Sequence, residues 1–227
     1  MKAMILAAGR GERLRPLTDS TPKALLPAGG KPLIAWHLER LAAGGCREAV
    51  INVSHLGETI VERLGDGSRF GLRIAYSHEQ QPLETAGGIA HALALLGSSP
   101  FLLLNADVYC EVDIARLLLQ ALGGRLAHLV LVPNPAHRRN GDFTLEAGIV
   151  GNGDAPRYTY AGIAVISPAL VAGLPSGGKA LLAPLLRAAA GERRISGELY
   201  EGVWQDAGTA ERLAELEARL ASRHENR

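Results

Sequence analysis

Glycines and cations alternate in the first connection of the chain, within the stretch AAGRGERLRPLTDSTPK. Gly9 and Gly11 allow backbone N–H groups to turn toward an anion without a clash from a Cβ atom. Four basic side chains accompany them, namely Arg10, Arg13, Arg15 and Lys23. This combination is typical of a loop that binds phosphate, although a solvated turn with scattered charge has the same composition.

The glycine pattern does not match the two best-known phosphate loops. A dinucleotide-binding loop needs a third glycine, where this chain has Leu14, and an acid at the end of the second strand, where it has Asn52. The Gly-Lys-Ser/Thr sequence of an ATP-binding P-loop is also missing at the required spacing. Both a nicotinamide-dependent dehydrogenase and a P-loop enzyme are therefore disfavoured.

Two aspartates follow short strand-like segments. Asp107 comes just after the apolar run Phe101–Asn105, and Asp206 comes after Trp204. Because carboxylates are preferred ligands of Mg²⁺, the pair predicts a magnesium site at the carboxyl edge of a sheet. Taken singly, each aspartate also fits a structural role, Asp107 near a helix N-terminus and Asp206 in a turn.

Apolar runs and helical patterns alternate along the chain and indicate which elements position these residues. The predicted strands are Ala3–Ala8, Ala49–Val53, Leu72–Tyr76, Phe101–Asn105, His128–Val132, Phe143–Val150, Thr159–Ile166 and Val203–Asp206. The predicted helices are Leu33–Ala43, Leu56–Leu64, Gly87–Leu96, Val112–Leu122, Leu181–Ala190 and a terminal helix opened by Thr209. The alternation predicts an α/β fold, with a Rossmann-like, mostly parallel mixed sheet and helices on both faces.

Composition excludes several classes of protein. The 227 residues carry a formal net charge of +1, are 47% hydrophobic and 21% charged, and include two cysteines. A near-neutral charge gives no general attraction to nucleic acid or an anionic membrane. Two cysteines do not build a disulfide framework, and no apolar run is long enough to span a membrane or serve as a signal peptide. A cytoplasmic protein is expected.

The first loop resembles the signature of the sugar-1-phosphate nucleotidyltransferases, in the stretch LAAGRGERLRPLTDSTPKALLP. In that family the loop wraps a nucleoside triphosphate. The resemblance implies catalytic roles for Arg13, on the triphosphate, and Lys23, near the α-phosphate. It also implies nucleotide contacts from Ala8, Gly9, Gly11, Glu12, Arg13, Lys23, Pro82 and Gly87.

Further segments along the chain support the same resemblance. QPLETAGGI, Gln81–Ile89, is similar to the segment that recognises the base. LLLNADVYC and WQDAGT resemble the two metal-binding segments, with Asp107 and Asp206 as ligands. PNPAHRRNGDF and YTYAGIAV resemble the sugar side, so substrate contacts are expected from Asn105, Asp142, Thr159 and Gly162.

The resemblance implies a fold of the nucleotide-diphospho-sugar transferase type, Mg²⁺ as cofactor, and UTP and a sugar 1-phosphate as substrates. Within the family, PLETAGGI and SGELYEGVWQDAGT are most similar to the uridylyltransferases that act on N-acetylmuramate 1-phosphate in cell-wall recycling. A guanylyltransferase acting on mannose 1-phosphate and a non-catalytic nucleotide sensor are the alternatives.

The same resemblance sets expectations for domain organisation. A single domain is expected over residues 1–227, with 1–110 mainly binding the nucleotide and 128–206 mainly the sugar. No C-terminal β-helix is expected, and the protein is expected to be a monomer or a small homo-oligomer without nucleic-acid partners.

Overall fold

A computed structural model describes residues 1–154 and 156–224, and within that part of the chain it has thirteen strands and six α-helices. The strands are β1 (Ala3–Leu6), β2 (Pro27–Ala28), β3 (Lys31–Pro32), β4 (Glu48–Val53), β5 (Arg73–His78), β6 (Phe101–Asn105), β7 (Val108–Cys110), β8 (Ala127–Val132), β9 (Phe143–Glu146), β10 (Ile149–Gly151), β11 (Arg157–Ile166), β12 (Ile195–Leu199) and β13 (Trp204–Asp206). The helices are α1 (Leu33–Ala43), α2 (Gly57–Leu64), α3 (Glu84–Leu96), α4 (Ile114–Leu118), α5 (Leu182–Gly191) and α6 (Ala210–His224).

Nine strands form one mixed sheet in the order β5-β4-β1-β6-β11-β8-β12-β10-β9. The first four are mutually parallel, with Leu6 of β1 beside both Asn52 of β4 and Asn105 of β6. Strand β11 then runs antiparallel to both of its main neighbours, β6 and β8. The carboxyl ends of the four parallel strands therefore meet at one edge of the sheet.

Helices cover both faces of this sheet, as the alternation of apolar runs predicts. Ile5 of β1 packs in a core with residues of α1, α2 and α4, whereas its neighbour Met4 packs in a second core with residues of α3 and α5. Both side chains are fully buried. The strand is apolar at successive positions because each of its faces meets a different layer of helices.

Helix α6 packs on a separate, smaller core at the base of the first loop. Leu14, which is fully buried, lies there with Leu213, Leu216 and Leu220. The residue that replaces the third glycine of a dinucleotide loop is therefore an apolar anchor. Fully burying one such side chain contributes about 1.5–3 kcal/mol, which fixes the loop against the terminal helix.

Two predicted elements differ in extent from the structure. The predicted helix Val112–Leu122 is only the five-residue α4, which begins after Asp113, whose side chain accepts a hydrogen bond from Arg116 N at 3.0 Å, and ends at Leu118. The predicted strand Phe143–Val150 is the hairpin β9–β10. Its turn residues Ala147 and Gly148 have φ of 47° and 77°, the backbone of a tight two-residue hairpin.

The sequence patterns also missed four short strands. Strand β12 was not predicted, because Ser196, Gly197 and Glu198 have low strand propensity. A Cβ atom on Gly197 would lie 2.6 Å from Val150 Cγ2, so the glycine allows β10 and β12 to approach. Strand β7, which pairs with β13, and the small β2–β3 pair were also unforeseen.

No helix among residues 1–154 and 156–224 is long and apolar enough to cross a bilayer.

A buried histidine of α1 contacts the end of β6. His37 of α1 is 4% exposed, and its Nε2 lies 3.0 Å from the carbonyl oxygen of Asn105. Because a carbonyl only accepts, Nε2 carries the proton and donates. Burial, reinforced by the nearby Arg40 cation, lowers the pKa of His37 from 6.5 to about 4. The ring is therefore neutral at physiological pH.

This neutral histidine makes stability depend on pH. Between pH 6.5 and about 4 the unfolded chain binds a proton that the folded chain does not, so the free energy of unfolding falls as pH drops through that window. The shift corresponds to about 3 kcal/mol. The free energy of unfolding is measured by urea titration at several pH values. Between pH 6.5 and about 4, the His37→Gln variant should lose about 3 kcal/mol less of it than the wild type loses. Parallel pH dependences of the two proteins would contradict this prediction.

Candidate active site

A cavity of about 650 Å³ opens at the carboxyl ends of the four parallel strands. Residues at or just beyond the end of each strand line it: Ala7 after β1, Asn52 of β4, Glu79 after β5, and Asn105 of β6. Ligands of open α/β sheets bind at this edge. Among the predicted site residues, the cavity is lined by Ala8, Gly9, Gly11, Glu12, Arg13, Lys23, Pro82, Asn105 and Asp107.

The glycine loop curls around one end of this cavity. Gly11 has φ of 64°, and a Cβ atom there would lie 2.9 Å from Thr18 Cγ2. Thr18 also donates its hydroxyl to the Gly11 carbonyl at 2.9 Å, which holds the turn closed. Arg10 and Arg13 remain exposed beside it. Backbone N–H groups and guanidinium groups are therefore available to an anion at this end.

Lys23 and Asp107 form an ion pair on the cavity wall. Their side chains are 14% and 29% exposed, so water still reaches the carboxylate. The 3₁₀ turn Lys23–Leu25 positions the lysine, and the end of β6 positions the aspartate. A cation that faces both the cavity and a carboxylate can exchange this partner for a phosphate oxygen.

Asp206 is brought next to Asp107 by the antiparallel ladder of β7 and β13. Asp206 pairs with Val108, and Ala207 donates its N–H to the Asp107 carbonyl at 2.7 Å. The following Gly208 lines the cavity. A Cβ atom on Gly208 would lie 2.8 Å from Asp206 Oδ1 and 3.3 Å from Arg13 Nη2. Asp107 therefore lines the cavity, whereas Asp206 does not line it itself and lies beside the lining residue Gly208.

Nitrogen atoms of Arg212, His137 and the backbone surround the Asp206 carboxylate. Arg212 of α6 lies 2.8 Å from Oδ1, and His137 Nε2 lies 2.9 Å from Oδ2. Gly208 donates its N–H to Oδ1 at 3.1 Å. His137 belongs to the segment PNPAHRRNGDF, so the predicted sugar side reaches the second predicted metal ligand.

The donor set suits Mg²⁺ only when the nucleotide contributes to it. No group of three or more His, Cys, Asp or Glu side chains in the described part of the chain is arranged to hold a metal. Mg²⁺ typically takes one or two protein carboxylates and completes its shell with water and substrate phosphates. Asp107 and Asp206, on neighbouring segments beside the glycine loop, fit that requirement.

A buried polar network at the ends of β4 and β5 lines another part of the cavity, and the sequence patterns did not identify it. Asn52 Oδ1 accepts from Ala7 N at 2.8 Å, and Asn52 Nδ2 donates to Glu79 Oε1 at 2.7 Å. The other oxygen of Glu79 accepts from Leu83 N at 2.9 Å. Asn52 and Glu79 are 3% and 6% exposed. Buried polar side chains need hydrogen-bond partners. The polar residues Asn52 and Glu79, at the ends of two strands, are therefore the signal that sequence reasoning could have used.

Gly87 lies outside the cavity lining. A Cβ atom on it would collide with the carbonyl oxygen of Gly178, and Ala86 and Gly87 both donate their N–H groups to the Ala180 carbonyl. The glycine therefore allows α3 to approach the segment 178–180. Gln81, the first residue of the predicted base-recognition segment, also does not line the cavity, whereas Pro82 does.

The predicted sugar-side residues divide into two groups. Asn105 lines the cavity, and Gly162, which does not, packs against it, since a Cβ atom on Gly162 would lie 2.7 Å from Asn105 Nδ2. Asp142 and Thr159 are outside the lining. Asp142 Oδ2 accepts from Tyr160 N at 2.9 Å and pairs with Arg138 at 3.1 Å. Thr159 is fully buried and donates to the side chain of Asn134.

Two curated relatives match nearly the whole chain. A protein of Neisseria meningitidis named N-acetylmuramate alpha-1-phosphate uridylyltransferase is 49% identical over 96% of this chain and 97% of its own length. A protein of the same name from Caulobacter vibrioides is 36% identical over 96% of both chains.

Solved structures share the fold. A Bacillus anthracis structure described as a glucose-1-phosphate thymidylyltransferase superposes with a TM-score of 0.86 at 22% identity, over 97% of this chain and 95% of that one. The likeness confirms the expected nucleotide-diphospho-sugar transferase fold. The family model described as nucleotidyl transferase matches residues 2–147. With that match and the near-full-length relatives, the chain belongs to the nucleotidyl transferase family.

Proposed function

We propose that this chain transfers a uridylyl group from UTP to N-acetylmuramate 1-phosphate and releases pyrophosphate. The observation that carries the reaction class is the Lys23–Asp107 pair on the wall of a cavity that is also lined by the glycine loop, residues 8–13. The choice of base and sugar is supported by the name of the 49% identical relative. A role in peptidoglycan recycling follows from that choice of sugar.

The reaction joins two strongly anionic molecules. An oxygen of the sugar phosphate attacks the α-phosphorus of UTP, the bond from that phosphorus to the β-phosphate bridging oxygen breaks, and pyrophosphate carries away the electron pair. A phosphate ester is already ionised at neutral pH, so the protein does not need to supply a general base. The protein's task is to position the reactants and stabilise negative charge.

The residues of the cavity have separate parts in that task. The Gly9–Arg13 loop holds the triphosphate, and Lys23 exchanges Asp107 for an α-phosphate oxygen as negative charge builds there. Asp107 and Asp206 would hold Mg²⁺, which when bound offsets the charge of both reactants. Arg212 orients the Asp206 carboxylate from α6.

The acceptor sugar is proposed to bind along the wall formed by residues 133–162. Asn105, with Gly162 packed against it, stands at the cavity edge, where ring hydroxyl or amide groups would lie. Asp142 and Thr159 act from behind that wall, since both are held by internal hydrogen bonds with Tyr160 and Asn134. UTP is an intracellular nucleotide, so we propose a cytoplasmic location, to which the two unpaired, buried cysteines are suited.

An activity panel tests the proposed substrates. Four nucleoside triphosphates are each combined with several sugar 1-phosphates, and pyrophosphate release is measured with Mg²⁺ and, as background, without it. UTP with N-acetylmuramate 1-phosphate should give the highest kcat/KM, by at least about tenfold.

Two outcomes of the panel would contradict the proposal. A preference for GTP with mannose 1-phosphate would make the protein a guanylyltransferase. Nucleotide binding without pyrophosphate release from any pair would make it a nucleotide-sensing member of the family.

Lys23→Ala tests the charge-stabilising role of the lysine. Because the lysine meets the α-phosphate most strongly in the transition state, kcat should fall by about 10²-fold or more, in addition to any rise in KM. Lys179→Ala, at an exposed lysine outside the cavity lining, is the matched control. A normal kcat with a raised KM for UTP would mean that Lys23 only binds the nucleotide.

A further inference from the structure

Glu84 has a strained backbone. It is the first residue of α3 and has φ of 62°, a conformation that glycine adopts easily and other residues rarely do. The described residues include three other non-glycine positions with positive φ, at Leu56, Ala147 and Arg193. None of those three lines the cavity, whereas Glu84 does. Strain of this kind, where it persists, concentrates at functional sites.

The Glu84 carboxylate has no partner within the described chain. No hydrogen bond or ion pair among residues 1–154 and 156–224 involves its side chain, which is exposed at the cavity. Glu79, at the same end of the cavity, is the opposite case, because it is buried and both of its oxygens accept hydrogen bonds. Glu84 is therefore an available acceptor in the cavity wall.

The position of Glu84 determines which part of a nucleotide it can meet. Arg10, Arg13 and Lys23 occupy the end of the cavity formed by the glycine loop. Glu84 lies in the segment that begins at Pro82, beside the end formed by Asn52 and Glu79. A triphosphate held by the cations places its nucleoside toward this second end. A carboxylate there repels phosphate and accepts hydrogen bonds from N–H and O–H groups.

We propose that the Glu84 carboxylate accepts a hydrogen bond from the nucleoside half of the triphosphate, and that the strained backbone is retained for this contact. The inference rests on the proposed function and adds to it a residue that determines nucleotide affinity. In uridine the available donors are the base N3–H and the 2′- and 3′-hydroxyls of the ribose. A carboxylate can accept a hydrogen bond from any of these three groups, and nucleotide analogues distinguish them.

A purely structural role makes different predictions. A carboxylate in the first turn of α3 is favoured by the helix dipole. If that were its only role, removal of the carboxylate would lower stability and leave nucleotide binding unchanged. If the proposal holds, removal weakens UTP binding, and removal of the strain raises stability.

Three variants separate the carboxylate from the backbone strain, with UTP binding measured by calorimetry and Tm by thermal unfolding. Glu84→Ala keeps the strain but loses the acceptor, so its Kd for UTP should rise by about tenfold or more without a gain in Tm. Glu84→Gly should show the same Kd and a Tm higher by about 2–4 °C, since glycine removes the strain. Glu84→Gln keeps an uncharged acceptor and should lose less affinity. Ala147→Gly, at a positive-φ residue in the β9–β10 turn, is the matched control for strain relief and should raise Tm without changing Kd.

Analogues of UTP identify the donor. 2′-Deoxy-UTP, 3′-deoxy-UTP and N3-methyl-UTP each lack one donor, and the analogue that lacks the contacted donor should bind the wild type and Glu84→Ala equally well. Two outcomes would overturn the inference and leave the proposed function in place. One is wild-type affinity for UTP in both Glu84→Ala and Glu84→Gly. The other is that each of the three analogues loses as much affinity, relative to UTP, in Glu84→Ala as in the wild type. A wild-type protein that binds no UTP would overturn both.

Discussion

The proposed active site depends on bringing two aspartates, Asp107 and Asp206, onto neighbouring segments at the edge of the sheet. Like charges at close range repel, and the pairing of β7 with β13 keeps the two residues adjacent through backbone hydrogen bonds. Lys23 and Arg212 offset the charge of each carboxylate. These four side chains come from three parts of the sequence, around residue 23, around residue 107 and between residues 206 and 212. The loop, the sheet and the terminal helix must therefore all be in place before the site exists.

The cavity is divided by charge in a way that orients its proposed ligand. Arginine and lysine side chains and backbone N–H groups form one end, and the buried Asn52–Glu79 pair forms the other. This pair also links Ala7, at the start of the glycine loop, to Leu83, at the start of α3. The network therefore fixes the glycine loop relative to α3. His37 supports the end of β6 from the opposite side through the Asn105 carbonyl.

The sequence predicted the features that depend on local pattern. Apolar runs located the strands of the parallel half, and the spacing of Gly9, Gly11 and Lys23 located the anion-binding loop. It did not predict β12, whose central Gly197 is required by a close approach to β10 that only the folded sheet contains. The role of Glu79 was also missed, because its partners Asn52 and Leu83 come from other elements. Gly87 was expected to contact the nucleotide, and the structure places it in a helix–loop contact that no local pattern encodes.

The central claim is that Asp107 and Asp206 hold a single metal ion together with the nucleotide. Anomalous diffraction from crystals of the protein grown with UTP and Mn²⁺, which replaces Mg²⁺ at oxygen-ligand sites, tests it directly. The account predicts one anomalous peak within metal–oxygen bonding distance, about 2.1 Å, of a carboxylate oxygen of each aspartate and of a phosphate oxygen. A peak bound to only one of the two aspartates, or a UTP complex in which Lys23 and Arg212 still occupy both carboxylates with no metal between them, would contradict it.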